Sequence, residues 1–121
     1  MKQEKRLLDR QAGRWAMLGG CLLGGGGGGS FAMGQMLLEK LESMPPLYLT
    51  PLEEIDPEAT VLSLSLVGAP AAKEQFLTPE DMIRTVELFQ RNAGSAPLAA
   101  VMTNENGWCA TVNGWVQAAA L

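Results

Sequence analysis

The sequence contains no histidine and only two cysteines among its 121 residues. Without histidine, the chain lacks the commonest metal ligand and the commonest acid–base group at neutral pH. A Ser-His or Cys-His catalytic pair therefore cannot be completed within these residues. Cys21 and Cys109 are too few for a disulfide scaffold, so we expect reduced thiols and a cytoplasmic location, with a single bridge as the alternative.

Positive charge is scarce outside the first residues of the chain. The net charge is −4, which argues against a nucleic acid as partner because such a binder needs a basic face. Residues 1–14 carry a net charge of +3, residues 39–121 carry −7, and residues 15–38 carry none.

The uncharged stretch raises three alternatives: a secretory signal, a transmembrane helix and a double-glycine leader. Six consecutive glycines at 24–29 interrupt it, and each costs a helix about 1 kcal/mol relative to alanine. The apolar residues before them, 15–23, are too few to cross a bilayer. We therefore expect no membrane partner.

The hydrophobic periodicity predicts an α/β fold, either as one domain or as part of a larger one. Helices are predicted at 3–18, from Ser30 to about Met44, at 78–93 and from 111 onward, and strands at 47–49, 61–67 and 98–102. The first helix should bury a stripe formed by Leu8, Ala12, Trp15, Leu18 and Leu22 and should fray at Gly19-Gly20. The strands near 61–67 and 98–103 should share one sheet, with Leu62, Leu64 and Leu66 facing helix 78–93.

Helix 78–93 carries the clearest local signals. Thr78 is a good N-cap, Pro79 suits the first helical position, and Asp81 completes a short capping box. Gly94 follows the helix end, where a left-handed residue is common.

The glycine run Gly24–Gly29, followed by Ser30, has three interpretations. Glycines let backbone N–H groups approach a ligand closely, and the helix that Ser30 caps adds its positive dipole end, so the run suits an anion or oxyanion cradle. An ordered turn without function and an engineered linker are the alternatives. No Gly-Lys-Ser/Thr follows and no strand precedes, so neither a Walker loop nor a dinucleotide fingerprint is present.

Several segments in order resemble one protein family. They are the leucine–glycine segment 18–23, the glycine run, Leu66–Pro70, the helix 77–89 and Ala100–Gly107. This series resembles the N-terminal part of the S-methyl thiohydantoin desulfurase family, which is related by name to hydantoinases and oxoprolinases. The resemblance makes the glycine run a native feature, and because family members are longer, it implies that the chain is an N-terminal fragment, a split subunit or a piece that ends within a domain.

Two positions differ from the family pattern. Gly24 and Ser30-Phe31 stand where family members usually carry a threonine and an Asp-Pro pair. Asn106-Gly107-Trp108-Cys109 stands where many members have a second glycine.

The resemblance implies a small cyclic amide or thioamide as substrate and hydrolytic removal of a group at a ring carbon. The backbone N–H groups of the glycine run would then bind the oxyanion. The predicted ligand-binding residues are Gly25, Gly26, Gly27, Gly28, Gly29, Ser30, Asn104 and Asn106. Glu105 is the predicted acid–base group because it follows a buried strand, where ligand sites of α/β sheets gather; a solvated turn carboxylate is the alternative.

Cys109 is the second predicted catalytic residue, as a nucleophile, with a buried small hydrophobe as the alternative because no cationic neighbour is evident. No metal site is predicted, since the spacing of the acidic run 53–58 does not place its carboxylates on one face. The sequence indicates no particular cofactor. A competing hypothesis is a non-catalytic structural or regulatory subunit that forms homo-oligomers, joins the remainder of a longer chain, or binds a small anionic ligand.

Overall fold

The computed structural model of the protein describes residues 4–69, 71–94 and 97–121. The helices are α1 Arg10–Leu23, α2 Phe31–Leu41, α3 Pro79–Asn92 and α4 Trp115–Ala119. The strands are β1 Arg6–Leu7, β2 Tyr48–Leu49, β3 Thr60–Leu64 and β4 Leu98–Thr103, and short 3₁₀ turns lie at Leu52–Glu54 and Ala110–Val112. The predicted α/β class is confirmed. No helix within the described ranges is long and apolar enough to cross a membrane.

The two longer strands pair in one sheet, as the sequence predicts, and the structure shows that they run parallel. Leu62 of β3 lies opposite Val101 of β4, and α3 connects the two strands along the chain. Parallel neighbours end at the same edge of a sheet, so the residues after β3 and β4 meet there. The short strands β1 and β2 pair separately and antiparallel.

The alternation predicted for the first of these strands is present, but β3 ends at Leu64 rather than at residue 67. Leu62 and Leu64 are half-buried, whereas Ser63 is exposed. Leu64 lies beside Gly114 at the start of α4, while Leu66 packs on the core to which α3 contributes Met82. Of the leucines predicted to face helix 78–93, Leu64 therefore lies beside the start of α4 and Leu66 lies on the shared core, so the face is not directed at α3 alone. Pro70, expected to follow the strand, lies outside the described residues.

Helix α1 begins and ends later than predicted. Asp9 is its N-cap and accepts a hydrogen bond from the backbone N–H of Ala12 at 2.7 Å. The predicted start at residue 3 lies outside the described residues, and Arg6–Leu7 forms β1 instead. The helix passes through Gly19-Gly20 without fraying because Gly20 lies against Thr111 and the Gly107 carbonyl, where a side chain would not fit.

The buried face of α1 differs from the predicted stripe. Gly13, Met17 and Gly20 are buried, and Gly13 lies directly against Leu38 of α2. Trp15 is 64% exposed and Leu22 is 84% exposed. The helix approaches its neighbours through Gly13, Gly20 and the single large side chain of Met17, so Trp15 and Leu22 face outward.

The centre of the core is formed by the segment 109–119. The buried cluster consists of Met17, Leu37, Leu38, Met82, Cys109, Val112 and Val116. Helices α1, α2 and α3 and strand β4 all pack against the 3₁₀ turn or α4 of this segment. The single helix predicted from residue 111 is therefore wrong: a 3₁₀ turn and the short α4 take its place.

The capping signals of α3 are confirmed. The Thr78 hydroxyl accepts a hydrogen bond from the Asp81 N–H at 3.2 Å, and the Asp81 carboxylate accepts one from the Thr78 N–H at 2.9 Å. Hydrogen bonds from Thr78 hold the pKa of the Asp81 carboxyl below its ordinary value. Gly94 has φ +86, the left-handed conformation expected after the helix.

Two buried amides connect α4 to the sheet. Asn113 donates to the Leu64 carbonyl at 3.3 Å and accepts from the side-chain amide of Gln117 at 3.2 Å. The Gln117 side-chain oxygen in turn accepts from the Gly114 N–H at 3.0 Å. Both side chains are 3% exposed, so water cannot replace these bonds.

Replacing Gln117 with leucine is expected to lower the free energy of unfolding by about 2–3 kcal/mol, because it strands the Gly114 N–H and the Asn113 amide oxygen in the core. Urea denaturation followed by circular dichroism measures the change. Gln90→Leu, at an exposed position of α3, is the matched control and should stay within about 0.5 kcal/mol of the wild type. Equal losses in both variants would contradict the network's role.

Candidate ligand site at the glycine loop

The glycine loop, residues 24–30, packs against the segment that follows β4. The Gly28 carbonyl accepts hydrogen bonds from the N–H groups of Cys109, at 3.0 Å, and Ala110, at 2.9 Å. The structure thus brings together two groups of predicted site residues that are far apart in sequence. The loop lies beside the carboxyl edge of the β3–β4 sheet.

The contact between the two segments is backbone against backbone. A side chain at Gly28 would collide with the Asn106 carbonyl and with Gly107, and one at Gly107 would collide with Gly28. Gly107 is held in place because its N–H donates to the Thr111 hydroxyl at 3.0 Å. Glycine at these positions therefore serves close approach, independently of any ligand.

The tip of the loop is open. An added Cβ at Gly25 or Gly26 would meet no atom within 4 Å, and Gly26 has φ +96. Gly27 uses its N–H within the loop, donating to the Gly24 carbonyl at 3.0 Å. In the described part of the chain, the N–H groups of Gly25, Gly26, Gly28 and Gly29 make no hydrogen bond. These four, rather than Gly27, are the donors available to a ligand.

Ser30 acts as the N-cap of α2. Its hydroxyl oxygen accepts a hydrogen bond from the Met33 N–H at 3.2 Å. The hydroxyl proton remains available as a donor. The first N–H groups of α2 point out of the N-terminus of the helix, which is the positive end of the helix dipole. Ser30 is thus first a structural cap, which is compatible with the predicted role in ligand binding.

Asn104 lies at the carboxyl edge of the sheet. Its side-chain oxygen accepts a hydrogen bond from the Ser65 hydroxyl at 3.2 Å, which joins the ends of β3 and β4. Thr103 fixes the next turn, since its hydroxyl donates to the Ala110 carbonyl at 2.9 Å. Asn104 therefore supports the turn and keeps its amide N–H groups for other partners.

Glu105 and Asn106 are exposed on the same turn. The backbone carbonyl of Asn106 touches the loop at Gly24 and Gly28, so Glu105 is one residue removed from that contact. The Glu105 side chain is exposed to solvent, so its carboxylate is accessible on this turn.

Cys109 is fully buried beside Gly29. Burial raises the pKa of the Cys109 thiol to about 11, so it remains protonated at neutral pH. A nucleophilic cysteine needs a lowered pKa and access to substrate. The structure therefore supports the alternative interpretation of Cys109, a small core side chain, over the predicted nucleophile.

Three contributors to this region are absent from the sequence predictions. They are Ser65, Gly107 and Thr111, which join the strand ends and hold the loop contact. The small polar face of the 61–67 strand was the available signal for Ser65. No sequence signal indicates Thr111, because only folding brings it to its partner, Gly107. Within the described ranges, no three His, Cys, Asp or Glu side chains are grouped as a metal site would require.

A parallel βαβ unit with a glycine loop at its carboxyl edge is a common framework for small-ligand sites. The chain belongs to the S-Me-THD-like, N-terminal domain family, whose model matches residues 12–121. This match confirms the resemblance inferred from the order of the motifs. No curated protein and no solved structure matches the chain at a significant level.

Proposed function

We propose that this chain forms the N-terminal part of a hydrolase-like protein that acts on small cyclic amides or thioamides of the hydantoin or thiohydantoin type. The family assignment supports the substrate class. The observation that carries the proposal is the open, N–H-lined tip of the glycine loop beside the turn that holds Glu105.

The proposed reaction needs a nucleophilic water, an oxyanion site and a proton carrier. Water attacks a ring carbon, and negative charge develops on the oxygen or sulfur attached to it. The N–H groups of Gly25 and Gly26 stabilise that charge, as preorganised backbone donors do in acyl transfer. Glu105 takes the proton from the attacking water as the new C–O bond forms. The charged oxygen or sulfur then re-forms its double bond to the carbon, the bond from that carbon to the ring nitrogen or to a thiolate breaks, and the leaving atom takes the proton from Glu105.

Gly27→Ala tests the cradle sterically, because the Gly27 N–H is itself used within the loop. Gly27 has an ordinary φ, and an added Cβ would meet only the Gly24 carbonyl oxygen, at 3.5 Å, so the fold should be unaffected. A ligand that approaches the loop closely would meet the new methyl group, and we expect activity of the full protein to fall by about tenfold or more, equivalent to about 1.4 kcal/mol. The measurement is kcat/KM with a hydantoin and an S-methyl thiohydantoin.

Gly19→Ala is the matched control for this variant. A Cβ at Gly19 would also meet open space, but on α1 and away from the loop. The control should retain full activity. Full activity of Gly27→Ala, with an unchanged unfolding midpoint, would show that no ligand approaches the loop.

The competing function is a non-catalytic subunit that binds a small anionic ligand. The observation in its favour is that the Cys109 thiol is buried and has a raised pKa, so it is not placed as a nucleophile within the chain. Binding of a hydantoin by the full protein without turnover, weakened by Gly27→Ala, would favour this function over hydrolysis.

A further inference from the structure

We infer that α1 and α2 form an interaction surface for a second copy of this chain. Sequence periodicity assigns three side chains of this surface to the core, but the structure leaves them exposed. Trp15, Leu18 and Leu22 of α1, together with Phe31 of α2, form an outer apolar face in which every member is at least 44% exposed. Residues spaced by three and four along a helix lie on one side of it, so the three α1 side chains form a continuous strip.

A groove between α1 and α2 borders the outer apolar face. It is a cavity of about 280 Å³ whose lining includes the buried side chains of Met17 and Leu38 and the partly buried Trp108. Phe31 packs edge-to-face on Trp108 with ring centroids 5.1 Å apart. The volume is at the lower limit of small-molecule sites, so side chains of a protein partner are the better occupants.

The two walls of the groove carry opposite charges. Arg10 and Arg14 lie on the α1 wall, and Glu39 lies on the α2 wall. Arg10 pairs with Glu42 across the groove at 2.7 Å, but no ion pair joins Arg14 to Glu39 within the described residues. A partner that complements both walls must present an acidic row opposite α1 and a basic row opposite α2.

A second copy meets this requirement through one symmetry operation. The helices run antiparallel, because Gly13 contacts Leu38 while Met17 contacts Gly34. A two-fold axis that runs parallel to the groove places α1 of each copy over α2 of the other. This rotation shifts neither copy along the groove, so residues at the same height remain opposite each other. Arg14 of one copy then faces Glu39 of the other, and Leu18 faces Phe31, so charge and apolar surface are both self-complementary, as an isologous interface requires.

The area is sufficient for such a dimer. The outer apolar face exposes on the order of 500 Å², which is as large as the largest patches found on monomers. With the groove and its charged rims, it approaches the roughly 800 Å² per partner that a standard interface buries. Trp15 would be the principal anchor, since tryptophan dominates interface energetics.

The oligomeric state of the full protein tests this inference. Analytical ultracentrifugation is expected to show a dimer at about 100 μM and dissociation on dilution, as for an interface of moderate affinity. Trp15→Glu should raise the dimer dissociation constant at least about 30-fold, the effect of losing an interface hot spot. Because Trp15 is exposed, its substitution leaves the fold intact. Leu52→Glu, at a side chain that is 75% exposed on the 3₁₀ turn Leu52–Glu54, is the control and should remain dimeric.

A charge exchange distinguishes the proposed axis from other arrangements. Arg14→Glu alone and Glu39→Arg alone should each weaken the dimer, whereas the double variant should restore it, because the pair forms between copies. A protein that stays monomeric at all accessible concentrations would overturn the inference. This holds also if another part of the protein covers the outer apolar face. A dimer that is unaffected by Trp15→Glu, or a double variant no stronger than the singles, would also overturn it.

Discussion

Replacing Gly28 with alanine is expected to lower the free energy of unfolding by about 3 kcal/mol or more. The new methyl group would collide with the Asn106 carbonyl and with Gly107, two backbone groups that cannot move aside independently. Position 28 also has φ +79, a conformation that alanine adopts at a cost of roughly 1–2 kcal/mol. Relief of the clash would break the hydrogen bonds from Cys109 and Ala110 to the Gly28 carbonyl.

Urea denaturation of Gly28→Ala beside Gly19→Ala measures this effect. The control adds the same methyl group to the middle of α1, where it meets no other atom, and helix propensity should stabilise it by about 0.5–1 kcal/mol. The two variants should therefore shift the unfolding midpoint in opposite directions. A Gly28→Ala midpoint equal to that of the wild type would mean that the loop is not docked on the segment after β4.

Replacing Glu105 with glutamine is expected to lower kcat of the full protein at least about 100-fold, the effect of removing a general acid–base group. The side chain is exposed, so stability should be unchanged and the loss would lie in the chemistry. Steady-state kinetics with an S-methyl thiohydantoin measures it.

Glu53→Gln, on the exposed 3₁₀ turn Leu52–Glu54, is the matched control and should behave as the wild type. If Glu105→Gln keeps more than about a third of the activity, Glu105 is not the proton carrier, since general acid–base catalysis supplies far larger factors. The Gly27→Ala variant tests the oxyanion role of the loop separately.

Helix α3 was predictable almost to the residue because its signals are local. Thr78, Pro79 and Asp81 define its start, and Gly94 defines its end, without help from the rest of the fold. The pairing of β3 with β4 was predictable for a related reason, since two apolar strands joined by a helix favour a parallel arrangement.

The face of α1 was not predictable from hydrophobicity. Hydrophobic periodicity identifies large apolar side chains as the buried ones. This helix is instead held through Gly13 and Gly20, which allow Leu38, Thr111 and the Gly107 carbonyl to approach closely. Those neighbours exist only in the folded chain. The same limit applies to α4, because its burial comes from surrounding elements and not from an amphipathic pattern of its own.

Sequence reasoning names the residues of the candidate site, but it does not show how packing roles are divided among them. Ligand sites of α/β sheets gather beyond the carboxyl ends of the strands, which places Asn104 to Asn106 near a predicted ligand site. The glycine run is evident in the sequence. Composition cannot show that Gly28 is required for packing while Gly25 and Gly26 remain open, since the residues are chemically identical. Only the contact with the Asn106–Gly107 backbone separates them.

The central place of the segment 109–119 constrains how the chain folds during synthesis. Helices α1 and α2 leave the ribosome first, yet Met17 and Leu37 pack against Cys109, Val112 and Val116, which follow them by more than 70 residues. The early helices can therefore pair with each other but cannot close a core until the later segment emerges. Contacts of such sequence separation slow folding and leave apolar surface exposed in the meantime.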